Sequence, residues 1–151
     1  MRLYFDECCS RRLPRELKEF FTVDYPDLIT CHVLDFYNAG TGDSTWLKPL
    51  QEDRRWIVIT GDLGRDTKKE KLPLVCMELG ITHVAIAGSL NKGGYTKQKS
   101  ALVAVWAQLL ELSRLPPGTQ VKLGLVTLKG GVEKFELRVA GKSLSTVLDS
   151  N

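Results

Sequence analysis

Acidic side chains follow the apolar segments of this chain, at the points where each segment gives way to a loop. Asp6 and Glu7 come directly after the first apolar run, Asp43 opens a helical pattern after the second, and Asp62 follows the third, with Asp66 four residues later. Carboxylates brought close together repel one another, and a divalent cation removes that conflict. Oxygen-only ligands suit Mg²⁺ or Mn²⁺, and two histidines are too few for a His-rich zinc site. A cation held in this way lowers the pKa of a bound water and stabilises charge on a phosphoryl oxygen, which is the chemistry of phosphodiester hydrolysis.

The elements that must position these acids are predicted by the periodicity of the apolar residues. Continuous apolar runs predict buried strands, and apolar residues at helical spacing predict helices between them. The predicted strands cover about 3–5, 30–34, 56–60 and 81–87. Three predicted helices begin near Ser10, near Asp43 and near Pro73, and a fourth covers 101–112. Residues 88–99 are predicted to form a polar, basic loop. Four strand–helix repeats of this kind predict a mostly parallel sheet covered on both faces, in which the carboxyl ends of the strands share one edge. The acids at the strand ends are therefore expected to meet.

The last part of the chain has a different pattern. Pro116-Pro117-Gly118 ends the repeating unit, and two further strands, 121–128 and 132–139, are joined by Lys129-Gly130-Gly131, which is a hairpin signal. We therefore predict a main domain over residues 1–115 and an appended β-hairpin and tail, 116–151, packed on the same domain.

Composition and charge narrow the class of protein and of partner. The chain has 151 residues, of which 43% are hydrophobic and 26% are charged, and these values exclude a disordered chain, a collagen-like repeat and a coiled coil. The net charge is +3, and residues 21–62 hold seven acids and three bases, whereas basic stretches follow the third and fourth predicted strands. An acidic centre with a basic periphery is suited to a polyanion such as RNA, although an ordinary solvated surface explains the same counts. The candidate RNA-binding residues are Arg65, Lys68, Lys69, Lys92 and Lys97, with Tyr95 available to stack on a base.

Cysteine usage and hydropathy indicate the compartment. Four cysteines occur without a preceding signal-peptide pattern, and no apolar run approaches the ~18 residues that span a membrane. We therefore expect a cytoplasmic protein with reduced thiols and no membrane partner.

Three motifs resemble those of the PIN-like domains, a nuclease family that includes the VapC-type toxins of bacterial toxin–antitoxin pairs. They are LYFDE at 3–7, GTGDSTWL at 40–47 and WIVITGDLGRD at 56–66, and the resemblance covers about residues 1–112. It implies a Rossmann-like, three-layer α/β/α fold, dependence on Mg²⁺ or Mn²⁺, and cleavage of RNA. It does not account for the C-terminal hairpin.

The resemblance also implies roles for individual residues and for partners. Asp6, Asp43 and Asp62 would be the catalytic metal ligands, and Asp66 is the best match to the fourth acid of the family. Thr60 would support those ligands through its hydroxyl, and Glu7 would either assist them or simply face solvent. A homodimer and an antitoxin protein are the partners that a VapC-type toxin commonly has, and the apolar segment 101–112 is consistent with either a subunit contact or a buried core helix.

The leading interpretation is thus a metal-dependent endoribonuclease that acts as the toxin of a toxin–antitoxin pair. A second interpretation is a catalytically weak or inactive PIN-like module that binds RNA or a protein partner. A signalling receiver domain, which also carries acids after its first and third strands, is disfavoured because Lys129 is followed by Gly130 and not by proline.

Overall fold

Seven strands form one sheet in the part of the chain that the computed structural model describes, which is residues 1–53, 55–61 and 71–150. The order across the sheet is β2-β1-β3-β4-β5-β6-β7. The strands are β1 (Arg2–Phe5), β2 (Ile29–His32), β3 (Trp56–Thr60), β4 (Thr82–Ile86), β5 (Gln120–Thr127), β6 (Glu133–Val139) and β7 (Lys142–Ser143). The six predicted strands are confirmed, with ends that differ by at most two residues, and β7 is an addition.

The same residues form seven α-helices, with short 3₁₀ turns at Val33–Asp35 and Leu112–Arg114. They are α1 (Arg12–Phe21), α2 (Asp43–Gln51), α3 (Leu72–Leu79), α4 (Gly88–Lys92), α5 (Gly94–Ala104), α6 (Trp106–Glu111) and α7 (Leu144–Asp149). None of these helices has both the length and the apolar character that crossing a membrane requires.

Two predictions about the segment after β4 were wrong. Residues 88–99 form α4 and most of α5 and not a loop, because buried Leu90 anchors α4 and Gly94, with φ of +73°, makes a tight break between two helices. The single helix predicted over 101–112 is divided at Val105, whose φ of −100° and ψ of 14° lie outside the helical region. Six apolar residues of this segment are buried in one core, so the core accounts for the apolarity of the segment: Ala101, Leu102, Val105, Trp106, Leu109 and Leu112.

The direction of the strands creates a crevice at the carboxyl end of β1. Strands β1 to β5 are parallel, β6 runs antiparallel to them, and β7 pairs antiparallel with β6. The chain leaves β1 for β2 on one side, and then crosses to β3 on the other side of β1. Connections that leave a parallel sheet in opposite directions open a crevice outside the strand ends, which is where such sheets bind ligands.

Two apolar cores cover the two faces of the sheet and confirm the three-layer α/β/α arrangement. Helices α1, α5, α6 and α7 pack on one face, where Phe21 stacks on Trp106 with ring centroids 3.7 Å apart. Helices α2 and α3 pack on the other face, where Trp46 of α2 stacks on Tyr4 of β1 with centroids 5.3 Å apart. Because Trp46 fixes α2 against β1, the first turn of α2 lies beside the carboxyl end of that strand.

The predicted C-terminal hairpin extends the main sheet. Strand β5 pairs in parallel with β4, and β6 returns antiparallel through a turn in which Gly130 and Gly131 have φ of +86° and +80°. Val121 and Leu137 from the hairpin are buried in the same core as α1 and α5. The hairpin therefore belongs to the packed body of the protein, while the boundary drawn at residue 115 stays a prediction.

Candidate active site

The buried carboxylate of Asp6 lies at the centre of the crevice. Asp6 is 5% exposed, and its backbone N–H donates to the carbonyl of Ile59 at 3.1 Å, which continues the pairing of β1 with β3 by one residue. One carboxylate oxygen, Oδ1, accepts the backbone N–H of Cys8 at 3.0 Å. The other, Oδ2, accepts the hydroxyl of Thr60, the fully buried last residue of β3. Two donors, one on each oxygen, fix the orientation of the carboxylate.

Asp43 reaches the same crevice from α2. It is the first residue of that helix, and the helix begins where Gly42 adopts an extended backbone conformation. Asp6, Glu7, Asp43 and Trp46 line one cavity of about 220 Å³, together with the loop residues 38 and 40–42. The structure therefore brings together two of the predicted metal ligands, as their positions after β1 and at the start of α2 indicated.

The negative charges of these two carboxylates raise the pKa of a buried thiol nearby. Cys76 of α3 is fully buried, and its pKa is raised from 9.0 to about 12, first by burial and then by the negative charges of Asp43 and Asp6. The Cys9 thiol, which donates to the carbonyl of Ile59 at 3.6 Å, has its pKa raised by burial and then by the charge of Asp6. Both cysteines are therefore neutral at pH 7 and add no negative charge to the crevice.

Glu7 lies at the mouth of the cavity and is exposed. Its Oε2 accepts the backbone N–H of Gly40 at 3.1 Å, and this bond ties the end of β1 to the glycine-rich loop before α2. Gly40 has φ of +81°, which a residue with a side chain rarely adopts, so the loop depends on glycine at this position. The sequence predicted a supporting role for Glu7, and its contact with the loop is consistent with that prediction.

The remaining predicted ligands, Asp62 and Asp66, lie outside the described residues. Within the described ranges, no group of three or more His, Cys, Asp or Glu side chains could hold a metal ion. The donors that are described fit a hard divalent cation, because Asp6 and Asp43 offer carboxylate oxygens at one cavity. Asp6 and Asp43 are thus the two predicted ligands that the described residues bring together, and Asp62 stays a prediction.

The predicted RNA-binding residues are distributed over two regions. Arg65, Lys68 and Lys69 lie outside the described residues. Lys92 ends α4, and Lys97 is exposed on α5. Tyr95 is half-buried against the core, and the guanidinium of Arg12 lies 4.4 Å from its ring centroid, so one face of the ring is already engaged by a cation. The stacking of a base on Tyr95 stays a prediction.

Sequence reasoning missed two amides at this edge of the sheet. Gln98 of α5 is 3% exposed and donates to Oδ1 of Asn91 in α4 at 2.8 Å. Both residues fall in the segment that was predicted to be a loop, so nothing marked them as one pair. The available signal was that Asn91 lies in the segment that follows a buried parallel strand, at the edge of the sheet where this class of fold binds ligands.

The fold and the crevice together define a parallel α/β protein with an acidic site at the carboxyl edge of its sheet. The family profile described as PIN like domain matches residues 1–85, which is more than half of the chain and extends from β1 into β4. The chain therefore belongs to the PIN-like domain family. No curated protein matches it. PIN domains are generally nucleases and typically use divalent metals, so the chain is a nuclease-type module of the hydrolase class.

Proposed function

We propose that this protein is a metal-dependent endoribonuclease that hydrolyses phosphodiester bonds of RNA with Mg²⁺ or Mn²⁺. The observation that carries the proposal is the buried Asp6 carboxylate, oriented by Thr60 and the Cys8 N–H, which shares one cavity with Asp43. A buried carboxylate beside a second one is costly unless it binds a cation. Such a pair lowers the stability of a fold, so it is expected at a functional site and not at a site that only stabilises the fold.

The proposed roles of the residues follow from their positions. Asp6, Asp43 and Asp62 would hold the cation, which when bound would activate a water and offset charge on the phosphate. Thr60 and the Cys8 N–H orient the Asp6 carboxylate, and Glu7 holds the glycine-rich loop that carries α2. Lys92 ends α4, the helix that follows β4, and Lys97 is exposed on α5, and both cations would attract the phosphate backbone.

The cellular role that we propose is that of the toxin in a toxin–antitoxin pair, with an antitoxin protein and a homodimer as partners in the cytoplasm. Its support is the resemblance of residues 3–7, 40–47 and 56–66 to the VapC-type branch. Induced expression in bacteria should arrest growth, and Asp6→Asn should remove that effect. Unchanged growth on expression of a protein that cleaves RNA in vitro would contradict the toxin role alone.

The reaction is tested by cleavage of a single-stranded RNA mixture by the purified protein in Mn²⁺ and in Mg²⁺, beside EDTA. Asp6→Asn is the decisive variant because it keeps the shape of the side chain. Its Oδ1 can still accept the Cys8 N–H, and its Nδ2 can donate to the Thr60 hydroxyl, which rotates to accept. We expect cleavage by the wild type only with the metal, and a loss of at least 100-fold in Asp6→Asn, since removing one group that stabilises transition-state charge costs about 10²–10³ in rate.

A matched control is Thr30→Val, which removes a hydroxyl that donates to the Pro14 carbonyl at 2.7 Å, on β2 and outside the lining of the cavity. It should cleave at the wild-type rate. Cleavage that persists in EDTA or in Asp6→Asn would refute the proposal. Binding of RNA without cleavage in either metal would favour the inactive PIN-like module instead.

A further inference from the structure

A buried amide, Gln98, joins the loop after β1 to the helix after β4. Its Oε1 accepts the backbone N–H of Ser10 at 3.4 Å, and its Nε2 donates to Oδ1 of Asn91 at 2.8 Å. Gln98 is 3% exposed and sits beside the fully buried Ala101 and Leu102 of the same helix. An apolar side chain would fill this position without the cost of burying an amide, so the polar contacts themselves need an explanation.

The contacts fix which way the Asn91 amide is turned. A backbone N–H can only donate, so the group of Gln98 that faces Ser10 must be its carbonyl oxygen. The amino group of Gln98 then faces Asn91, and only the Oδ1 of Asn91 can accept from it. The amino group of Asn91, Nδ2, is therefore directed away from Gln98 with its N–H donors oriented.

The Asn91 amide lies at the strand end that supports Asp6. A Cβ added to Gly61 would overlap the Nδ2, Oδ1 and Cγ atoms of Asn91, so the amide packs directly on the Gly61 backbone. Gly61 follows Thr60, whose hydroxyl donates to Asp6. Asn91 thus adds an oriented, uncharged donor to the edge of the sheet that carries the carboxylates.

We propose that Asn91 is a substrate-binding residue whose Nδ2 donates to a phosphate oxygen of the RNA strand, and that Gln98 is the residue that positions it. The inference rests on the proposed function, because it assigns a contact to the substrate of that reaction. A neutral donor is suited to this place: a lysine or arginine would pair with the carboxylates and compete with the cation, whereas an amide binds the phosphate and leaves the acids free.

The test measures binding separately from cleavage. The probe is a fluorescein-labelled, single-stranded 12-nucleotide RNA, titrated by anisotropy in EDTA so that no metal-dependent cleavage takes place. Asn91→Ala should raise the Kd about tenfold, since a hydrogen bond to a charged group is worth about that factor or more. Asn91→Asp, which has the same shape and a negative charge, should raise the Kd further. Ser89→Ala, an exposed change on the same helix, should leave the Kd unchanged.

The positioning role of Gln98 has its own readout. Gln98→Glu can still accept the Ser10 N–H but cannot donate to Asn91, so it should raise the Kd in the same direction as Asn91→Ala. The double variant should bind RNA no more weakly than Asn91→Ala alone, because the contribution of Gln98 passes through Asn91. Additive losses would show a general structural effect and would overturn the assignment of Gln98.

The outcomes separate this inference from the proposed function. A Kd for Asn91→Ala equal to that of the wild type overturns the inference, whether or not the protein cleaves RNA. Failure of the wild-type protein to bind the RNA overturns it as well. A tenfold loss of binding in Asn91→Ala, with no cleavage by the wild type in either metal, supports the inference and refutes the endoribonuclease. Asn91→Ala leaves the buried Nε2 of Gln98 without this acceptor, so its thermal midpoint should fall by a few degrees while unfolding stays cooperative. Its Mn²⁺ affinity should match that of the wild type, which excludes loss of the cation as the cause.

Discussion

The hydroxyl of Thr60 is the most informative single group to remove. Thr60 is fully buried at the end of β3, and its hydroxyl donates to the Oδ2 of Asp6, which is 5% exposed. Thr60→Val keeps the branched shape and the strand propensity and removes only the donor. The carboxylate then loses a charge-assisted hydrogen bond in a place where little water can replace it, which we expect to cost about 1.5–3 kcal/mol of unfolding free energy in the absence of metal.

The same change should weaken the cation site without touching a ligand. Groups that orient a metal-binding carboxylate through a hydrogen bond typically contribute about 10- to 100-fold to metal affinity. Isothermal titration of Mn²⁺ should show a loss of that size in Thr60→Val, and Thr60→Ser, which restores the hydroxyl, should recover most of the affinity. Urea unfolding in EDTA measures the accompanying loss of stability.

Thr30→Val again provides the comparison, because it also removes a side-chain hydrogen bond from a strand residue. It should lower stability and leave the Mn²⁺ affinity unchanged. Wild-type Mn²⁺ affinity in Thr60→Val would refute the view that Thr60 orients a metal-binding Asp6. An equal loss in Thr30→Val would show that Mn²⁺ affinity follows global stability.

Three further outcomes follow from the packing and the charges. Phe21→Ala removes the ring that stacks on Trp106 in the larger core and should cost about 3–5 kcal/mol in urea unfolding. The pKa of Glu16 is lowered from 4.5, first by the hydrogen bond from Lys99. This carboxylate therefore stabilises the fold above pH 4.5, and the contribution is lost as the pH falls through the lower pKa of the folded state. The difference in thermal midpoint between the wild type and Glu16→Gln should vanish in acid and grow towards pH 6. Cys8 is exposed, so iodoacetamide at pH 8 should alkylate it in the native protein. Peptide mapping should find the buried thiols of Cys9 and Cys76 modified only after unfolding.

The strands and their acids could be predicted because the information is local. Residues 56–60 are a continuous apolar, β-branched run, which predicts a buried parallel strand without knowledge of its neighbours. Once four such strands alternate with helices, the rule that carboxyl ends share an edge places Asp6 and Asp43 together. The structure shows both at one cavity, as expected from that rule.

The segment after β4 could not be predicted because its conformation depends on distant contacts. The pattern of residues 88–99 is polar and rich in lysine and glycine, which favours a loop. The burial of Leu90 and Gln98 overrides that preference, and the partner of Gln98 is the backbone of Ser10, 88 residues away. A contact of this range leaves no periodic signal in the sequence, so both α4 and the orientation of Asn91 were found only in the folded chain.

Whether Asp6 and Asp43 form one cation site is tested most directly by Mn²⁺ titration of the two single variants and the double variant. We predict that Asp6→Asn and Asp43→Asn each lose at least tenfold in Mn²⁺ affinity, and that the double variant loses less than the sum of the two free-energy losses, because both carboxylates bind the same ion. Wild-type affinity in Asp43→Asn, or a second Mn²⁺ site that survives in the double variant and supports RNA cleavage, would contradict this account.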